Sequence, residues 1–198
     1  MSLHGNAVIP CNEKSASVYE ANAGDVCKYE DHEGFVPLQE GDIADFYRQF
    51  SRARREPAFM GMFKPVQYQS ATQFAEYFTV GSRPLWVLGR PESPTAYFCL
   101  HAMLSQHDLA NLDFAYFSAY PNPGSEAAGA FWKYLLSCMR VRGLTRVQSF
   151  VIDTCTEKIQ LLESLGFRNE GLLREHYYHN GRMHDVVVLA WMAEERLV

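Results

Sequence analysis

Residues 112–167 read LDFAYFSAYPNPGSEAAGAFWKYLLSCMRVRGLTRVQSFVIDTCTEKIQLLESLGF, and their order of elements decides the fold. Leu112 to Ala119 has the apolar, aromatic character of a strand, and Pro121, Pro123 and Gly124 break it. From about Ser125 to Arg142 the pattern turns helical. Ala127, Phe131, Leu135 and Met139 recur at four-residue steps, with Ala128, Trp132 and Leu136 beside them. Arg140 and Arg142 suit the negative end of that helix, and Gly143 stops it. Val147 to Asp153 is a second strand, too close behind for anything but a βαβ-like return. Thr154 and Glu157 then form a capping box for a helix whose apolar side is Ile159, Leu161, Leu162 and Leu165, ended by Gly166. A strand that turns directly into a long helix leaves free N–H groups and a positive dipole end beside the sheet edge. That arrangement suits a phosphate or diphosphate.

Working outward, the stretch before residue 112 reads as its support. Residues 1–33 are polar and weakly periodic, an irregular arm that packs on the domain or on a second copy of the chain in a homodimer. Phe35 to Leu38 is the first strand, and GDIADFYRQFSRARR (41–55) is a helix with Ile43, Phe46, Tyr47 and Phe50 on one face. FMGMFKP (59–65) is apolar cover or a pocket wall. Ser70 caps a second helix, Ala71 to Val80. Leu85–Leu88, Thr95–Leu104 and Leu112–Ala119 follow with short connections, as an antiparallel meander. After Gly166 come two strands flanking Asn180-Gly181, a strong two-residue hairpin signal. The order β, α, α, β, β, β, α, β, α, β, β describes one α/β (α+β) domain over 34–198. Its sheet is mixed, mostly antiparallel, with about seven strands and about four helices.

The chain of 198 residues supports one substantial core. A net charge of −5 argues against a general nucleic-acid binder. The N-terminus lacks the pattern of a signal peptide, and the longest apolar run, Val186 to Ala193, is too short to span a bilayer. Cys11, Cys27, Cys99, Cys138 and Cys155 are an odd set without metal-site spacing, so no metal site is expected and reduced thiols are. A cytoplasmic protein without membrane or nucleic-acid partners is the expectation.

The final hairpin carries a resemblance. SLGFRNEGLLREHYYHNGRMHDVVVLAW, with Gly166-Phe167, Glu170-Gly171, Arg174, Gly181 and Asp185, resembles the GCN5-related N-acetyltransferase (GNAT) superfamily. The likeness is closer to its ribosomal-protein N-terminal and spermidine acetyltransferase branches. It implies an acetyl-CoA-dependent N-acetyltransferase acting on an amine, either a small molecule or a protein N-terminus. It further implies a pantetheine arm along Tyr116, Phe117 and Ser118, between splayed strands four and five. The diphosphate loop of the superfamily falls on Pro123, Gly124, Ser125, Glu126, Ala127 and Ala128, although Pro123 and Glu126 depart from its pattern. Cys155 stands where relatives place a pantetheine-contacting Asn, and Leu162 where many place an acid Tyr.

Removing a proton from an acceptor amine calls for a carboxylate or His. His101, mid-strand, and Asp113, near the start of strand four, are the catalytic candidates; a hydrogen-bonded core His and a solvated strand end are the plainer readings. Glu175 and His176 are further possibilities. The alternative function is a non-catalytic protein of the same fold that binds acyl-CoA or serves as an accessory or sensor subunit.

Overall fold

The computed structural model describes residues 34–53, 70–79, 85–102, 108–179 and 181–193. The N-terminal arm, Arg54 and Arg55, the 59–65 segment and Leu104 lie outside the described residues.

Alternation of side chains along the meander sorts the core into two layers. Strands β2 (Leu85–Arg90), β3 (Ser93–Ala102) and β4 (Leu109–Tyr116) are antiparallel, with Ala96 opposite Tyr116 and Ala102 opposite Ala110. One set of side chains, with Phe98, Leu100, Leu112 and Phe114, packs under helices α3 (Glu126–Val141) and α4 (Thr156–Ser164). The alternate set, with Tyr97, Cys99 and Ala115, packs under α1 (Ile43–Ala53) and α2 (Ala71–Thr79), where Phe46, Phe50 and Phe74 are buried. Strands β1 (Phe35–Pro37), β5 (Arg146–Ile152), β6 (Arg168–His179) and β7 (Arg182–Met192) complete a seven-stranded sheet of order β1-β2-β3-β4-β5-β7-β6. Among the described strands only β4 and β5 run parallel, because α3 carries the chain back between them. Element order and fold class are those expected.

Several boundaries differ. Pro91 and Glu92 alone make the β2–β3 turn, so β3 begins at Ser93 rather than Thr95 and pairs past a bulge at Gly89. Strand β4 begins at Leu109 rather than Leu112, because its first three residues pair with β5. It ends at Tyr116 rather than Ala119, since Ser118 and Ala119 are exposed. The first helix opens with a 3-10 turn, Glu40–Asp42.

Helix ends show where local chemistry is decisive. Ser70 Oγ accepts from Gln73 N at 3.2 Å, and Ser125 Oγ from Ala128 N at 3.2 Å. Each such cap stabilises its helix by roughly 1 kcal/mol. The Thr154–Glu157 capping box does not form. Cys155 N donates to Ile152 O at 2.9 Å, and that turn makes Cys155 the cap residue, with no side-chain cap bond. The apolar stripe of α3 is as expected at Ala128, Phe131, Leu135 and Met139, and differs at one residue. Ala128, Phe131, Leu135, Cys138 and Met139 face the core, while Ala127 is exposed. In the hairpin, Glu170 forms a two-pronged ion pair with Arg146, and Asp185 Oδ1 accepts from Glu175 N at 2.7 Å. Those hairpin residues therefore fix its register (Glu175 has a positive φ of 46°).

Candidate functional site

Strands β4 and β5 pair through three residues only, Leu109↔Arg146, Ala110↔Val147 and Asn111↔Gln148. Both strands continue, β4 to Tyr116 and β5 to Ile152, and they diverge as they go. Side chains fill the vertex of the resulting cleft. Ser149 Oγ donates to Leu112 O at 3.1 Å, and Lys158 Nζ donates to Phe114 O at 2.7 Å. In a strand both polar backbone groups of one residue point the same way and neighbours point oppositely. Tyr116 therefore presents its backbone to the cleft, as Leu112 and Phe114 do. Phe117 turns the other way: its N–H donates to Thr95 O at 2.9 Å, and its ring packs on Phe46 and Tyr97.

The mouth of the cleft is the start of α3. Gly124 holds φ +77°, a conformation that an L side chain resists, and so directs the chain from Pro123 into the helix. Ser125 N donates to Asn122 O and Ala128 N to Ser125 Oγ, so two of the five N–H groups from 124 to 128 are spent internally. Those of Gly124, Glu126 and Ala127 make no hydrogen bond among the described residues, and all three residues are exposed. A 16-residue helix thus directs free donors and its positive end outward. The Glu126 carboxylate shares this surface.

Tyr120 lies between the mouth and the vertex. Its ring packs on Phe114 and Tyr116 at 5.9 and 5.4 Å, and it is nearly buried. Burial, with smaller contributions from Cys155 and Asp113, pushes its hydroxyl well above the usual range. Burial alone moves Tyr116 up to about 12. Both phenols are therefore neutral donors at ordinary pH.

On the α1/α2 face the two catalytic candidates come together. His101 Nε2 is 3.7 Å from Asp113 Oδ2, and both side chains are about 15% exposed, His101 at 16% and Asp113 at 15%. The other ring nitrogen, Nδ1, lies 3.9 Å from Cys99 Sγ. Cross-strand register produces this row: Cys99 is opposite Asp113 and His101 opposite Asn111. His101 is thus a part-buried His with a carboxylate partner, and Asp113 is part-buried rather than a solvated strand end. Glu175 and His176 lie on the hairpin, away from the cleft vertex.

Cys155 is buried, and its thiol is shifted up, chiefly by desolvation and against the pull of Lys158. That state suits a packing residue better than a nucleophile. Leu162 is fully buried among apolar side chains. Lys158 went unnoticed in the sequence. The available signal was its place on the apolar stripe of α4, one turn before Leu162. Among the described residues no group of His, Cys, Asp and Glu could hold a metal ion, and no helix is long and apolar enough to cross a membrane.

Residues 103–188 match the acetyltransferase (GNAT) domain family. That span runs from β4 through most of β7 and so includes both walls of the cleft. The chain has the GNAT acetyltransferase fold. Ribosomal-protein-S5-alanine acetyltransferase from Vibrio fischeri superposes with a TM-score of 0.66, over 84% of this chain and 97% of that one, at 14% identity. The putative acetyltransferase yncA from Salmonella typhimurium, solved with its cofactor acetyl-CoA, gives 0.64 over 83% and 95%, at 15% identity. Spermidine N-acetyltransferase from Vibrio cholerae, in complex with CoA and spermine, gives 0.62 over 80% and 94%, at 19% identity. No curated protein matches the sequence. At these identities the solved structures establish the fold.

Proposed function

We infer that this protein is an acetyl-CoA-dependent N-acetyltransferase that acts on an amine, a small molecule or a protein N-terminus. The observation that carries the reading is the β4/β5 cleft, which opens after three residue pairs and leads to the exposed start of α3. The free N–H groups of Gly124, Glu126 and Ala127 fit a diphosphate, with Ser125 holding the loop through Ala128. The backbone of Tyr116 and Ser118 fits the amide-bearing pantetheine arm as an added strand would. Cys155, the cap residue of α4 just after β5, stands on the other wall of the cleft.

Transfer requires a neutral amine, a polarised thioester carbonyl and a proton for the thiol. Backbone N–H groups on the cleft edge of β4 polarise the carbonyl oxygen. The amine enters from the α1/α2 face and gives its proton, directly or through water, to the His101–Asp113 pair. The three described cysteines are thiols outside any disulfide, which supports a reducing, cytoplasmic setting.

A second reading, a non-catalytic acyl-CoA-binding or accessory protein, draws support from Leu162, which puts an apolar side chain where the resemblance implies an acid. Calorimetry with acetyl-CoA, followed by thiol release against a panel of amines, separates the two. Binding with turnover supports transfer. Binding without turnover on any amine favours the second reading, and no binding refutes transfer and leaves only the accessory role.

A further inference from the structure

Lys158 carries an amine into the interior at the vertex of the cleft. It is 1% exposed, its Nζ is 2.7 Å from Phe114 O, and it stands 4.5 Å from the centre of the Phe114 ring. An ammonium has three donors, and a carbonyl and a ring face do not neutralise its charge. None of the ion pairs among the described residues includes it. Stability does not call for a lysine here. An apolar side chain of the same volume would avoid the desolvation cost, which for a buried ion is several kcal/mol. The groups that act on the charge are Asp113 from β4 and Cys155 from its own helix, both of which favour the ammonium, while burial outweighs them and lowers its pKa. Asp113 and Cys155 also act on Tyr120, which reaches in from the β4–α3 loop. Lys158 is thus an amine that gives up a proton readily, held against the strand that would cradle an acyl-CoA arm.

Its position relative to Leu162 gives that amine a task. Residues four apart on a helix share a face, with Cβ atoms about 6 Å apart. Both side chains are buried, and Lys158 reaches Phe114 O on β4. We propose that Lys158 delivers the proton to the sulfur of CoA as the acyl group leaves, in the role of the hydroxyl that Leu162 lacks. The acceptor nitrogen bonds to the acyl carbon and the carbon–sulfur bond breaks with its electron pair on sulfur. The sulfur then takes a proton from Lys158 Nζ, and the proton lost by the amine passes to the His101–Asp113 pair. Lys158 regains a proton from water once the thiol departs. This rests on the reading of the cleft as an acyl-CoA site.

The test uses CoA itself and needs no acceptor. An ammonium at the sulfur stabilises the thiolate. The bound thiol of the parent protein should therefore ionise roughly one pH unit or more below the ordinary thiol value of about 8.5. Ultraviolet thiolate absorbance reports this, as the difference between complexes with CoA and with desulfo-CoA titrated against pH. In Lys158→Met the depression should vanish while the melting temperature holds or rises, because a buried charge is removed. Should the Met variant fail to fold, Lys158→Gln keeps a donor for Phe114 O and carries the same comparison. Lys158→Arg should keep a depressed thiol, because the charge remains. A bound thiol that ionises at the same pH with and without Lys158 overturns the proposal and leaves the cleft reading intact. Absence of any CoA binding heat in the parent refutes the cleft reading itself.

Discussion

Replacing Glu126 by Gln removes one charge from the mouth of the cleft and little else. The side chain is exposed, and it shares the first turn of α3 with the N–H groups assigned to the diphosphate. A unit charge about 7 Å from a diphosphate of about two negative charges, in nearly bulk solvent, repels it by about 1 kcal/mol. Glu126→Gln should therefore tighten acetyl-CoA about fivefold at low salt. The gain should shrink toward nothing at molar salt, where the screening length falls to about 3 Å. The helix responds in the opposite sense. A carboxylate in the first turn favours the dipole by about 0.3–1 kcal/mol, so the variant should melt about 1–3 °C lower. Calorimetric titration at two salt concentrations, beside a melting curve, measures both. A dissociation constant equal to the parent's at low salt would refute the electrostatic argument. A tighter complex that persists unchanged at high salt would refute it as well, since screening must remove a Coulomb term.

Ser125→Ala removes the bond to Ala128 N and should cost roughly 1 kcal/mol, a fall in melting temperature of about 2–4 °C, with weaker acetyl-CoA binding because the loop is less fixed. Asp113→Asn and His101→Gln should each lower turnover by about 100-fold or more while the acetyl-CoA dissociation constant stays near the parent's, as a binding titration beside a rate assay would show. The Glu170 carboxyl is held below its usual range by its hydrogen bonds to Arg146, so the folded pKa lies under the unfolded one. Its contribution is therefore complete above the ordinary Glu value of about 4.3 and is lost as pH falls through the lower folded value. Denaturant melts of the parent and Glu170→Gln should differ by under about 1 kcal/mol near neutrality, because the pair is partly exposed, and should converge in acid.

The legible part of this fold is the part encoded locally. Ser70 and Ser125 cap their helices, Gly166 ends α4 in the left-handed conformation, and residues 180–181 join His179 to Arg182. Each of these depends on a few neighbouring residues. The extent of β4 is set by partners dozens of residues away, which is why its start and end were displaced by three residues each. The Thr154 box failed for a related reason: the turn from Ile152 to Cys155 fixed the cap one residue later. The site shows the same division. Positions 123–128 were placed by spacing from a helix, and the structure leaves donors free at three of them. The assembly of Cys99, His101 and Asp113 depends on cross-strand register, and the task of Lys158 on a carbonyl 44 residues away. Neither can be read from a window of sequence. Phe117 illustrates the limit of spacing, since it lies between two cleft-facing residues and faces β3.

The central claim is that acyl-CoA lies in the β4/β5 cleft with its diphosphate on the start of α3. A crystal structure of the protein with CoA tests it most directly. Diphosphate oxygens should lie within hydrogen-bond distance of the N–H groups of Glu126 and Ala127, the pantetheine arm against Tyr116 and Ser118, and the sulfur near Lys158 Nζ. CoA bound anywhere else on the protein, with β4 and β5 free of it, would contradict the account.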